Sequence, residues 1–295
     1  MNRIGILVVT LVFASFGCGS SSGGSGGTGG GTGGSGGEGS AVAVTIQFAG
    51  KVGADDFVCG DTYDNLGAND NSLKLTDFRF YVQDVAVQNT DGTWVPVELT
   101  QNQFQLDDVS LLDFEDGCGG LGSPELNDVV SGTVPEGEYD GVRFKMGVPV
   151  DLNHADQTTA SDPLSLSSMF WSWRGGYKFL RIDSGNIKDD PTVWRMHLGS
   201  TGCGMTDDPS TPPEAPCTNG NRVDVTLNAF NTEIDVVVAD IAALVDGAPL
   251  GDNDEGTPAG CMAAPDDSDC GPIFDNLGLP FNGSEQGVQQ FFSIE

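Results

Sequence analysis

Two histidines, His154 and His197, are the only side chains in this sequence that could do imidazole chemistry. Imidazole is a common ligand for copper, zinc, iron and nickel, so two histidines can begin a metal site. The segment Trp171-Ser172-Trp173 lies between them in the chain. Each feature also has a structural explanation, because a histidine on a strand is commonly a hydrogen-bonded framework residue and paired tryptophans commonly belong to a core. Their role therefore depends on the elements that position them.

His197 lies in a run in which polar and apolar residues alternate, and this pattern predicts a β-strand. In this phase Arg195 and His197 share one face, and Trp194, Met196 and Leu198 share the other. The imidazole is thus expected on the face of the strand opposite its apolar side chains.

Much of the remaining chain has the same period of two, with turn residues between short runs. Strands are predicted over 42–48, 78–87, 93–99, 142–146, 177–183, 193–198, 222–230 and 233–239. An Asp-Gly turn within 89–92 indicates a hairpin, and only 240–245 looks helical. The pattern predicts an all-β fold, a single β-sandwich or barrel-like domain. Its long loops, which we expect disulfides to tie, include 246–276 and 151–168, and the latter carries His154.

The charge balance excludes one broad class of partner. The sequence has 43 acidic and 12 basic residues, a formal net charge of −31. A phosphate backbone requires a basic surface, so the sequence does not indicate a nucleic-acid-binding protein. The same charge disfavours docking on an anionic lipid surface, whereas it raises the local concentration of cations.

Residues 1–17 are predicted to be a lipoprotein-type signal peptide. The apolar run 4–16 follows Arg3, fits the core of an export signal and is too short to span a bilayer. Gly17 before Cys18 resembles a bacterial lipoprotein processing site, which makes Cys18 the expected lipidation site. Ser15 stands where such sites usually have leucine, so secretion with loss of Cys18 is the alternative.

Residues 18–40 are predicted to be a lipid-anchored, disordered Gly/Ser-rich linker. Between 19 and 40 there are 13 glycines in 22 positions, and such a segment cannot bury enough apolar surface to fold. The folded domain is therefore expected over 41–295, in a protein anchored to the outer membrane and either periplasmic or displayed at the cell surface.

Six cysteines remain after Cys18, and an even number behind an export signal predicts three disulfides in an oxidising compartment. The alternative is a thiolate metal site, but no C-x-x-C spacing occurs. The expected disulfides Cys203–Cys217 and Cys261–Cys270 would each close a loop rich in Pro, Asp and Gly. Cys59 and Cys118 then remain as the third expected pair.

Five sequence blocks recur in the order found in a known family. The blocks are Asp77-Phe78-Arg79-Phe80-Tyr81-Val82, Leu111-Leu112-Asp113-Phe114, Gly147-Val148-Pro149 followed by Asn153-His154, Met169-Phe170-Trp171-Ser172-Trp173 with Gly176-Tyr177-Lys178-Phe179, and His197-Leu198-Gly199-Ser200-Thr201-Gly202-Cys203. Together they resemble the MbnP-like copper-binding proteins, also called the metallo-mystery-pair four-Cys family. The resemblance runs from about Val44 to the C-terminal phenylalanines. Cys59, Cys118, Cys203 and Cys217 would supply its four-Cys pattern.

The resemblance implies an exported copper-binding protein and not an enzyme. Family members are typically paired with a di-haem cytochrome c peroxidase-like (MbnH-like) enzyme that oxidises a tryptophan to kynurenine, and histidines with the modified residue then hold Cu(I). Carried over, His154 and His197 are the expected copper ligands, and Trp171 or Trp173 is the residue modified. The implied role is copper acquisition or handling, with no small-molecule substrate.

The chemistry of the side chains agrees with these implications. Two imidazoles leave Cu(I) short of a three-coordinate shell, and an indole N–H is only a donor. Opening the indole ring exposes an aniline nitrogen that can bind copper. Carboxylates often orient metal-binding histidines, and Asp156 is the candidate here. Met196 could offer a thioether instead, but its strand phase points it away from His197.

Two other functions remain in view. The oxygen-rich segments 252–256 and 266–269 could bind calcium and stabilise an acidic cell-surface module for adhesion or structure, although neither has a complete calcium-loop spacing. Solvated acidic loops without a bound ion are the favoured interpretation of both segments. A hydrolase is the third possibility, but no nucleophile–base–acid arrangement is visible.

Overall fold

The computed structural model describes residues 40–120, 122–172, 174–185, 193–204, 211–251 and 253–295. The predicted signal peptide, Cys18 and nearly all of the linker lie outside the described residues, as does Trp173. The statements below concern the described residues.

The fold is built mainly from β-strands, as predicted, because period-two runs supply most of its elements. The strands are β1 (Ala41–Val52), β2 (Asp55–Asp56), β3 (Thr62–Leu66), β4 (Asn71–Asn89), β5 (Trp94–Pro96), β6 (Glu98–Leu99), β7 (Gln105–Leu106), β8 (Val109–Asp113), β9 (Val129–Pro135), β10 (Tyr139–Met146), β11 (Phe170–Ser172), β12 (Gly176–Tyr177), β13 (Leu180–Ser184), β14 (Arg195–Leu198), β15 (Val223–Asn228), β16 (Val236–Asp240) and β17 (Phe292–Ile294). The α-helices are α1 (Ile241–Leu244) and α2 (Gly271–Asn276).

The strands form two main sheets. The first has the order β17-β16-β1-β9-β6, with β2 paired to β1, and β1 runs parallel to β16. The second has the order β14-β13-β4-β10-β15, and β3, β5 and β8 also pair with the long strand β4 while β7 pairs with β8. Strands β11 and β12 form a separate ribbon. The long strand β4 thus organises the second sheet.

Aromatic side chains from both sheets interlock in the core. The ring of Phe48 on β1 lies 6.2 Å from Phe80 on β4 and 5.5 Å from Phe144 on β10, measured between centroids. Phe292 on β17 approaches the same two rings at 5.5 and 5.1 Å. These contacts join the inner faces of the two sheets, which confirms the β-sandwich.

The outer face of the second sheet is also buried around β4. A one-sided antiparallel strand usually leaves its polar face in water. Here Arg79 is only 1% exposed and Tyr81 is fully buried, and the Tyr81 hydroxyl donates a hydrogen bond to the Pro163 carbonyl at 2.9 Å. The loop that contains Pro163 therefore packs over the charged face of this strand.

Three disulfides tie the loops. They join Cys59 to Cys118, Cys203 to Cys217 and Cys261 to Cys270, which is the expected pairing. Among the described residues, no helix is both apolar and long enough to cross a bilayer.

Candidate metal centre

His197 is held by the second sheet and by a buried carboxylate. It lies on β14 opposite Arg181 of β13, and its imidazole is 7% exposed. The Nε2 atom lies 2.7 Å from Asp183 Oδ1. Among the described residues this is the one hydrogen bond of the ring. A histidine whose outer nitrogen bonds a carboxylate has a fixed orientation and tautomer, as metal-binding histidines commonly do.

The electrostatics favour a neutral His197 beside an ionised Asp183. Burial lowers the pKa of His197 below its usual value, although Asp183 opposes this shift. For Asp183, burial would raise the pKa, but the hydrogen bond from His197 and the guanidinium of Arg181 hold it below its usual range. A neutral imidazole that donates Nε2–H to Asp183 keeps the Nδ1 lone pair, which is the atom available to a metal.

Asp183 belongs to a larger buried charge network. Arg181 Nη2 lies 2.6 Å from Asp183 Oδ2, and Arg181 Nε lies 3.1 Å from Asp77 Oδ2. Asp77 in turn bonds Arg79 at 2.9 and 2.5 Å, and Arg79 Nη1 is 3.5 Å from Glu115 Oε1. These alternating charges neutralise one another, so the position of His197 is linked to several strands.

Trp171 lies on the same face as His197. Gly199 lies two residues after His197. In an extended chain residues two apart share a face, so positions 197 and 199 both face away from the core. A Cβ atom at Gly199 would lie 2.5 Å from Cζ3 and 2.9 Å from Cη2 of Trp171. The indole therefore occupies the space that a side chain at 199 would fill, and only glycine permits this approach.

His154 is held by a loop. Its imidazole is half-buried, with Nε2 lying 3.1 Å from Asn153 Nδ2 and 3.3 Å from Cys217 Sγ. Asn153 Oδ1 accepts a hydrogen bond from the backbone N–H of Tyr177 at 3.0 Å, which turns its amide nitrogen toward the imidazole. In the neutral ring Nε2 therefore accepts from Asn153, and a metal bound at this atom would take the place of that hydrogen bond.

The sulfur atoms near His154 do not provide thiolate ligands. The ligand atoms of His154, Cys203 and Cys217 lie within 4.8 Å of one another. The two sulfurs are bonded to each other, however, and a disulfide has no thiolate to offer a metal. Within this cluster His154 is the side chain with metal-ligand chemistry.

An open cavity of about 450 Å³ lies beside Trp171 and the chain that follows His197. Its lining includes Trp171, Arg174, Thr201, Cys203 and Met262, whereas neither histidine lines it. Cys203 is disulfide-bonded to Cys217, whose sulfur contacts His154. Trp171 packs against Gly199, two residues after His197. The structure thus places Trp171 on the His197 face and His154 at a disulfide bordering the same cavity.

Asp156, the carboxylate expected to orient His154, caps its own turn. Its Oδ1 atom accepts hydrogen bonds from the N–H and the hydroxyl of Thr158 at 2.9 and 2.6 Å. The sequence analysis missed Asp183, which orients the other histidine. The signal for it was the strand predicted over 177–183, in which Asp183 shares a face with Arg181.

The acidic segments proposed for calcium stabilise their own loop. Asp254 N–H bonds Asp269 Oδ2 at 3.1 Å, and Asp269 N–H bonds Asp267 Oδ1 at 3.2 Å. Burial raises the pKa of Asp267, which favours its protonated form. Among the described residues no three acidic groups converge on a common point here, and Asp252 lies outside them.

A disulfide-tied β-sandwich with one imidazole oriented by a buried carboxylate, and a second imidazole against a disulfide that borders the cavity of Trp171, defines a candidate metal-binding protein. The family model MbnP matches residues 41–263, and the chain belongs to the MbnP family. The solved structure of MbnP from Methylosinus trichosporium is similar, with a TM-score of 0.76 and 31% identity over 86% of this chain and 98% of that one. No curated protein matches the sequence.

Membership of this family indicates a copper-related role and agrees with the expectation that the chain is not an enzyme. The imidazoles present fit copper, because nitrogen ligands suit this metal better than they suit calcium. The three disulfides fit an exported protein.

Proposed function

We propose that this protein binds copper as Cu(I) through His154, His197 and a kynurenine formed from Trp171 or Trp173. The observation that carries the proposal is the buried Asp183–His197 pair. It fixes the imidazole in the tautomer that leaves Nδ1 able to bind a metal, on the face where the Trp171 indole lies.

Oxidative cleavage of the indole supplies the ligand that two imidazoles lack: peroxide, used by the partner enzyme, would place one oxygen on each carbon of the C2–C3 bond, and hydrolysis would then release the C2 carbon as formate. An indole N–H cannot bind Cu(I), whereas the aniline nitrogen of kynurenine has a lone pair. Trp171 is half-buried and lines an open cavity, so a partner enzyme can approach it. The proposed partner is a di-haem cytochrome c peroxidase-like (MbnH-like) enzyme, which would make the protein competent for copper only after export.

The proposed setting is the outer membrane. Lipidation at Cys18 would anchor the chain there, and the Gly/Ser-rich segment would hold the copper-binding domain away from the bilayer. The net charge of −31 would enrich cations near the domain, although it would not select copper among them. In this setting the protein would serve copper acquisition or handling.

The test is a copper titration of protein produced together with its partner enzyme. We expect one copper ion per chain, measured by metal analysis and by competition with a Cu(I) chelator. His154→Ala and His197→Ala should each weaken binding by more than about 100-fold, because a lost ligand costs more than the 10–100-fold typical of a lost outer partner. A double variant with the affinity of the unchanged protein would place the copper site elsewhere.

Peptide mass spectrometry of the same material tests the modification. The peptide with Trp171 and Trp173 should show the net gain of one oxygen and loss of one carbon that converts tryptophan to kynurenine. Peptides containing Trp94 and Trp194, the other two tryptophans, serve as internal controls and should be unmodified. An unmodified Trp171–Trp173 peptide in copper-loaded protein would rule out kynurenine as a ligand.

A further inference from the structure

Met262 lies beside His197 because a short segment pairs with the free side of β14. Cys261 forms a parallel bridge with Met196. The Cys261 N–H donates to the Arg195 carbonyl at 2.8 Å, and the His197 N–H donates to the Cys261 carbonyl at 2.9 Å. The segment therefore continues the second sheet as an added edge.

The bridge determines which face Met262 occupies. Residues opposite each other in a parallel pair present their side chains on the same face. Met196 and Cys261 are both fully buried on the core side. The residues that follow them, His197 and Met262, consequently face outward together, on chains about 4.8 Å apart.

The surroundings of Met262 agree with this assignment. Its side chain is half-buried and lines the cavity that also contains Trp171 and Cys203. Met196, by contrast, is fully buried in the core. Met262 is thus a thioether that shares both the face of His197 and the cavity of Trp171.

We propose that the Met262 thioether is a further Cu(I) ligand of this site, at the mouth of the cavity. The proposal rests on the proposed function. Thioether sulfur is a soft ligand that favours Cu(I) over zinc and calcium, whereas imidazoles alone also accept zinc. Because the six cysteines of the domain form disulfides, Met262 would supply the sulfur that makes the site selective.

X-ray absorption at the copper edge tests this ligand directly. Protein produced with its partner and loaded with Cu(I) should show Cu–S scattering in addition to nitrogen scattering. Met262→Leu, which keeps the side-chain size, should lose the sulfur contribution and weaken Cu(I) binding about 10-fold, with little change for zinc. Met196→Leu is the matched control on the neighbouring strand, and it should keep both properties.

A second measurement needs no substitution. Selenomethionine-labelled protein should show Cu–Se scattering in place of Cu–S, so the test survives if Met262→Leu folds poorly. Scattering from nitrogen and oxygen alone, with a Met262→Leu affinity equal to that of the unchanged protein, would overturn the thioether ligand and leave the His154 and His197 site standing. Failure of the unchanged protein to bind copper would instead overturn the proposed function.

Discussion

The two candidate histidines are supported in opposite ways. His197 is on a strand paired on both sides, and its ring is bonded to Asp183 inside a buried charge network. His154 is in a loop, where its ring contacts the Asn153 amide and the Cys203–Cys217 disulfide. Sheet pairing therefore positions one candidate ligand, and the other candidate packs against a covalent cross-link. Different substitutions should therefore weaken copper binding on the His197 side and on the His154 side.

The largest expected effect comes from the His197 side. Asp183→Asn keeps an oxygen that can accept from His197 but removes one of the two carboxylates that neutralise Arg181, the other being Asp77 at 3.1 Å. Leaving a buried charge without its partner typically costs about 3–5 kcal/mol in the free energy of unfolding, and because Asp77 remains we expect a loss near the lower end of that range. Loss of the orienting carboxylate should also weaken copper binding by about 10–100-fold. Urea denaturation and chelator competition measure the two effects.

Asp84→Asn is the matched control for this substitution. Asp84 bonds Lys145 at 2.7 Å on the surface, with about half of its side chain exposed. An exposed ion pair contributes less than about 1 kcal/mol, so stability and copper affinity should barely change. Equal losses in the two variants would mean that burial of the network does not decide its contribution.

The second prediction concerns the disulfide that contacts His154. Replacing both Cys203 and Cys217 by Ala should lower the free energy of unfolding by about 3 kcal/mol, the value expected for a loop of about 15 residues. It should also weaken copper binding, because Cys217 Sγ packs against the His154 ring. Denaturation and copper titration of the double variant test both.

Removal of the Cys59–Cys118 disulfide distinguishes the loss of stability from the loss of copper binding. It closes a longer loop, with a sequence separation of 59, so its removal should cost at least as much stability. Its cysteines do not belong to the His154 cluster, and copper affinity should persist in the folded fraction. Equal loss of copper binding in both double variants would show that the Cys203–Cys217 disulfide has no special role in holding His154.

The period-two pattern identified the strands that have one apolar face. Strands β1, β4, β10 and β15 appear where alternation predicts them. Strand β8 was not predicted as a strand because all five of its residues are buried, so its sequence does not alternate. Strand β9 was not predicted either, although its buried residues alternate with half-exposed ones. Alternating burial is therefore not enough by itself, because the residue types must alternate too. In β9 they do not, since the apolar Val129 lies on the more exposed face and Gly132 on the buried one.

The site could be predicted in its residue types but not in its supporting contacts. The histidines and tryptophans are recognisable because few such residues occur and the family blocks contain them. Asp183 lies 14 residues before His197, and their contact depends on the β13–β14 register. Similarly, Met262 reaches His197 only through a bridge across 65 positions of chain. Neither register can be read from local sequence patterns.

The smallest expected effect concerns Trp171, whose ring packs over Gly199 beside the cavity. Gly199→Ala would place a methyl group within 2.5 Å of the Trp171 ring and 2.7 Å of the Tyr177 carbonyl oxygen. Overpacking of this kind costs about 1–3 kcal/mol, and the indole must move. We expect altered tryptophan fluorescence and less kynurenine after production with the partner enzyme. Gly137→Ala is the control, since its new methyl would meet Tyr139 at an ordinary 3.5 Å.

This substitution also distinguishes the two tryptophans. If Trp171 is the residue modified, displacing its ring from Gly199 lowers the yield of kynurenine and of copper together. If Trp173 is modified, the fluorescence changes while both yields persist. An unchanged spectrum with unchanged yields would contradict the packing of Trp171 over Gly199.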